Sequence, residues 1–167
     1  MNTEENDIEA ENDLRDSRLP LIFERYGEEH QRWKLIEECG ELLAELGRFR
    51  TGDRSNVADL IHEAADVIVV ARQLYGFPMF YGSKFYEETT EDAKVYAWHL
   101  AIDAALLTNA AAHHADDKAK QLADAVQTRA AWLAFCLGAW KMLVEAIDMK
   151  IERQLERIAR EAQESGK

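Results

Sequence analysis

Two stretches decide the fold of this chain, KLIEECGELLAEL at residues 34–46 and LIHEAADVIVVARQL at residues 60–74. In both, apolar residues recur every three or four positions, the spacing of one face of an α-helix. Both also carry acids inside the apolar run. Residues three and four apart share a helix face, so Glu38 with Glu41, and Glu63 with Asp66, each form a local acidic patch. Carboxylates held together without partners repel one another and rise in pKa, whereas one or two divalent ions make the same cluster favourable. The two patches therefore point to bound cations.

The rest of the composition agrees with a helical chain. Its 167 residues suffice for one domain with a hydrophobic core, and they include only two prolines and eight glycines. An all-α helical bundle is the expected fold class. The formal net charge of -12 argues against nucleic acid or an anionic membrane surface as the main partner, since both demand a basic face. The most apolar run, residues 130–140, is too short to span a bilayer and is followed by Lys141. Cys39 and Cys136 lie within helical patterns, and no signal peptide is evident, so reduced thiols in a cytoplasmic protein are expected.

Along the chain, residues 1–17 are acidic and poor in large apolar groups, which predicts a disordered tail ahead of a single helical domain at 18–163. A short helix follows, with Pro20 in its first turn and Gly27 at its end. A strong helix from Glu28 to about Arg50 has Trp33, Ile36, Gly40, Leu43 and Gly47 as its approximate apolar or small-residue stripe. Gly40 within it suggests close approach of a helix or ligand as readily as simple tolerance. After a polar loop with Ser55 or Asn56 as capping candidate, a helix from about Val57 to Tyr75 buries Leu60, Ala64, Val67, Ile68 and Ala71. It ends at Gly76, Phe77 and Pro78.

Aromatic residues punctuated by glycine fill the stretch 76–86, which suits either a cover over a pocket or a packing loop. Thr89 or Thr90 can then cap a helix reaching about His114, with Glu91 and Asp92 in its first turn and Trp98, Ile102, Ala105, Leu106 and Asn109 along one side. A further helical stretch starts near Lys118 and runs, with a bend near Gly138, to about Ala162, and residues 164–167 are expected to fray.

YGEEHQRWKLIEECGELLAEL at residues 26–46, followed by HEAADVIVVARQL at 62–74, resembles the MazG-like branch of the all-α nucleoside triphosphate pyrophosphohydrolases. The family motif is EExxE, a spacer, then ExxD. Here EExxE is Glu37, Glu38 and Glu41, and ExxD is Glu63 and Asp66. MKIERQLERI at 149–158 matches the family's basic helix in the spacing of Lys150, Arg153 and Arg157, with Gln154 where one form has asparagine. The resemblance covers roughly residues 21–74 and 147–158, and the middle of the chain is longer than compact relatives need.

What the resemblance implies is a Mg2+-dependent enzyme, with Mn2+ as a substitute, that hydrolyses a nucleoside triphosphate to the monophosphate and pyrophosphate. Glu38, Glu41, Glu63 and Asp66 are then metal ligands, with Glu37 and Glu38 as catalytic carboxylates. Lys150, Arg153 and Arg157 meet phosphate, and Trp33 is a possible base contact. A homo-oligomer is implied as well. The competing reading is a catalytically silent nucleotide-binding or regulatory protein. A di-iron carboxylate bundle needs Glu-x-x-His pairs that do not accompany these motifs, and a helical adaptor needs no metal at all.

Other features have plainer readings. Glu45 is expected on the solvated surface, and the tryptophans are by default buried packing residues. Adjacent His113 and His114 point in different directions and make a poor metal pair, while Glu145 and Asp148 repeat the ExxD spacing without an EExxE opposite.

Overall fold

The computed structural model describes residues 17–53, 55–76 and 93–165. Among them are helices α1 (Leu19–Tyr26), α2 (Glu28–Arg50), α3 (Val57–Tyr75), α4 (Ala93–Ala112), α5 (Asp116–Cys136) and α6 (Trp140–Ser165), and no strand. The all-α expectation is met. Buried residues of all six helices join one hydrophobic core, and α3 lies at its centre, packed against α1, α2, α5 and α6. That position explains why residues 67–73 are buried without interruption, where a surface helix would bury one stripe. Leu60, Ala64, Val67, Ile68 and Ala71 are all in the core.

Gly27 separates α1 from α2 with φ 78, and its N–H donates to Phe23 O at 2.8 Å. A left-handed φ at this turn is where glycine avoids the Cβ clash of other residues. Pro20 sits in the first turn of α1, as its fixed φ favours.

The buried face of α2 differs from the stripe expected from the sequence. Leu35, Cys39, Leu42, Leu46 and Phe49 are buried, while Trp33, Gly40 and Gly47 face solvent and Ile36 and Leu43 are half-buried. Trp33 misleads because its size dominates the pattern, whereas the core face is set by α3 and α4, which both pack on α2. A Cβ built on Gly40 would meet nothing within 4 Å, so close approach is not the reason for this glycine among the described residues.

In α4 the side formed by Trp98, Ile102, Ala105, Leu106 and Asn109 is exposed. The core takes the opposite face, Ala97, Leu100, Ala104, Leu107, Ala110 and Ala111, and α2 and α5 both pack on this helix. The expected caps at Thr89 and Thr90, the acids Glu91 and Asp92, and the stretch 77–86 fall outside the described residues.

The expected bend near Gly138 is a complete break between α5 and α6. Gly138 adopts φ 65, Ala139 N–H reaches back to Ala134 O at 2.7 Å, and the chain leaves α5 through a left-handed glycine cap. At the other end, α6 continues to Ser165, beyond Ala162. Arg18 ties α1 to α6 through Asp148 and Glu152, both at 2.5 Å, and Lys141 approaches Glu145 at 3.6 Å, so the second acidic pair serves surface ion pairs. Buried Arg32 joins Glu28, Asp116 (2.5 Å) and the Tyr75 hydroxyl (3.3 Å), pinning the starts of α2 and α5 to the end of α3.

Candidate functional site

Helices α2 and α3 form an antiparallel hairpin, and its register is visible in side-chain pairs. At the loop end, Asn56 Nδ2 donates to Glu45 O at 2.9 Å and to Glu45 Oε2 at 2.7 Å. Glu45 also accepts from Arg48 at 2.9 Å. Glu45 is therefore an anchor of the α2–α3 loop and not the solvated surface residue expected from sequence. Asn56 precedes α3 as anticipated, but its side chain makes no cap hydrogen bond: Nδ2 is given to Glu45, and Oδ1, the atom that would cap, accepts nothing.

Two turns further from the loop the acids meet. Carboxylate oxygens of Glu38, Glu41 and Glu63 lie within 4.8 Å of one another. They are graded in burial, with Glu38 buried, Glu63 half-buried and Glu41 exposed, so the cluster opens from the core toward solvent. Burial pushes the Glu38 carboxyl up, an effect the Lys34 hydrogen bond opposes and the neighbouring Asp66 and Glu41 charges add to. Glu63 is pushed up to about 7, first by burial and then by Asp66, Glu41 and Glu38, with Lys150 pulling the other way. Its Oε2 is buried and accepts no hydrogen bond. An orphaned carboxylate oxygen among like charges is costly, and a hard cation with oxygen ligands is the group that suits it.

Asp66, the fourth acid of the motif, adds its charge to Glu38 and Glu63 but pairs with Lys150 from α6. Glu37 lies at the rim with its side chain 57% exposed, bound to Lys34 at 3.0 Å. Lys34 is the residue that the sequence reading missed. Its Nζ also meets Glu38 Oε1 at 2.7 Å. Burial lowers the Lys34 pKa, but hydrogen bonds to Glu38 and Glu37 outweigh it and leave the ammonium above its usual value. The signal was present: Lys34 and Glu38 stand four apart on one helix, a spacing that pairs opposite charges.

The basic helix divides. Lys150 reaches the cluster through Asp66, and Gln154 accepts from Gln73 Nε2 at 3.0 Å, so both bind α6 to α3. Arg157 turns to α1, donating to the Tyr26 hydroxyl at 2.8 Å with its guanidinium 4.8 Å from the ring centroid. Arg153 is exposed. Trp33, 63% exposed, donates from Nε1 to Glu29 Oε1 at 2.9 Å, and Trp98 is exposed as well, against the expectation of buried packing. Cys39 is buried and Cys136 partly so, and they form no bridge. His113 and His114 follow α4, with His113 Nδ1 2.8 Å from Asn109 O.

Three carboxylates from two helices thus converge with a fourth beside them and a lysine on each side. No described helix is long and apolar enough to cross a membrane. Comparison of the chain with family models, curated proteins and solved structures finds no significant match.

Proposed function

We propose that the chain is a Mg2+-dependent nucleoside triphosphate pyrophosphohydrolase, converting a nucleoside triphosphate and water to the monophosphate and pyrophosphate. The observation that carries this reading is the convergence of Glu38, Glu41 and Glu63, of which Glu63 has a buried oxygen without a partner. An all-oxygen donor set graded from buried to exposed fits Mg2+ or Mn2+, which keep open positions for substrate oxygens. Glu38, Glu41 and Glu63 would hold the ion, with Asp66 joining them once Lys150 lets go. An ion held there would supply neutralisation of triphosphate oxygens and a more acidic bound water.

The remaining roles fall to this chain's own side chains. Glu37, exposed beside Lys34, takes the role of accepting a proton from the water that attacks the α-phosphorus. Lys150 meets developing charge on the pyrophosphate that leaves. Arg153, exposed one turn along α6, is a second phosphate contact, Arg157 being held by Tyr26, and exposed Trp33 offers a face for a nucleobase. The exposed apolar side of α4 supports self-association into a homo-oligomer.

The test is phosphate release, with added inorganic pyrophosphatase, across a panel of NTPs and dNTPs in Mg2+. Turnover should fall by at least about a hundredfold in Glu41→Gln and Asp66→Asn, the scale of losing a charged transition-state contact. Wild-type turnover in both variants would sink the assignment. Nucleotide binding without release would select the catalytically silent alternative.

A further inference from the structure

Glu38 is the most buried acid of the cluster, and the cation that reaches its Oε1 is Lys34, at 2.7 Å. This is not an ordinary surface pair. At Lys141 and Glu145, also four apart on one helix, both side chains are mostly exposed and the ions stand 3.6 Å apart. At Lys34 the carboxylate side chain is 6% exposed and the lysine 35%, so water cannot solvate the acid but does reach the base. The lysine supplies the charge that the buried oxygen otherwise lacks.

We propose that Lys34 is an exchangeable internal counter-ion. It holds Glu38 while the cluster lacks a metal, yields that oxygen when a divalent ion binds, and then presents its ammonium to the anionic end of the substrate. This rests on the metal and triphosphate reading above. The physical basis is that a divalent ion and an ammonium competing for one carboxylate repel each other, and the lysine is the partner on a flexible four-carbon stem. Because the half-buried Lys34 is also bound to exposed Glu37, the released ammonium stays at the mouth of the site beside Glu37. Lys150 stands in the same relation to Asp66 from the opposite side, on α6.

Exchange makes an unusual prediction of sign, since removing Lys34 should tighten metal binding and weaken anion binding. Calorimetric titration with MnCl2 alone, then with tripolyphosphate at saturating Mn2+, tests both. Lys34→Met should bind Mn2+ roughly tenfold more tightly and tripolyphosphate roughly tenfold more weakly, the scale of one nearby unit charge. Lys34→Gln should do the same and serves if the Met variant does not fold. Lys34→Arg keeps the charge, and Lys141→Met makes the same change in net charge far from the cluster, so both should stay within about threefold of wild type. Unchanged or weaker Mn2+ binding by Lys34→Met or Lys34→Gln, or tighter binding by Lys141→Met to the same degree, overturns the exchange while the metal reading stands. Failure of the wild-type protein to bind Mn2+ overturns both.

Discussion

Replacing Glu63 by Gln should stabilise the metal-free protein at pH 8, although it alters a half-buried residue of the α2–α3 hairpin. The Glu63 carboxyl is pushed from its ordinary 4.5 up to about 7 by burial and by Asp66, Glu41 and Glu38. The sign follows from linkage. Below about pH 4.5 the group is protonated in folded and unfolded chains alike, so it carries no penalty. As pH rises toward 7 the unfolded chain releases its proton first, and the folded state loses stability until both are ionised. At 1.36 kcal/mol per pKa unit the full shift corresponds to about 3 kcal/mol, and solvent access to a half-exposed group reduces this to roughly 1 to 2 kcal/mol.

Glutamine is neutral at every pH, so Glu63→Gln should raise the metal-free Tm at pH 8 by about 2 to 8 °C and leave it near wild type at pH 4.5. Thermal melts at both pH values, with and without Mg2+, are the assay. The wild-type protein should gain stability from Mg2+ at pH 8, and Glu63→Gln should lose most of that gain. A variant that melts lower than wild type at pH 8, with the Mg2+ increment intact, would refute the reasoning.

Three further outcomes follow from contacts around the site. Lys150→Met strips Asp66 of its cation beside Glu38 and Glu63, and should cost roughly 1 to 3 kcal/mol in urea denaturation at unchanged m, less than a fully buried pair because both ends touch solvent. An unchanged midpoint would show that the bridge is idle. Asn56→Ala removes two hydrogen bonds to Glu45 and should cost about 1 to 2 kcal/mol, lowering the Mg2+ increment of Tm as well, because the hairpin register loosens. A loss of stability with full Mg2+ response would separate the loop from the site. Cys39, buried and pushed up to about 12 by that burial, should resist iodoacetamide at pH 8 while partly exposed Cys136 reacts, as mass spectrometry of the alkylated peptides would show. Equal rates would contradict the packing.

The hairpin and its acids were legible because each rests on a local rule. Helical spacing located α2 and α3, and three- and four-residue separations put Glu38 with Glu41 and Glu63 with Asp66 before any tertiary contact was known. Burial was less legible, since it depends on which neighbours arrive. Trp33 and Trp98 are large and apolar, yet α2 and α4 turn their leucines and alanines to the core. The break at Gly138 was anticipated only as a bend, because a left-handed glycine becomes a stop when the following residues close the cap. Arg157 matched a motif by spacing, but Tyr26, which takes its guanidinium, lies 131 residues away in sequence. Long-range partners of this kind have no local signature.

The pairing of Glu45 with Asn56 has a consequence for how this gene can tolerate change in length. The clamp fixes the two helices two turns or less from the acids, so the turn at residues 52–53 is outside the register it sets. Extra residues inserted at 52–53 would lengthen the turn that follows α2 and leave Glu41 opposite Glu63. One residue inserted between Glu41 and Glu45 would rotate Glu38 and Glu41 by about 100° relative to the clamp and disperse the carboxylates around the helix. The same single codon is therefore tolerable in the turn at 52–53 and ruinous between Glu41 and Glu45.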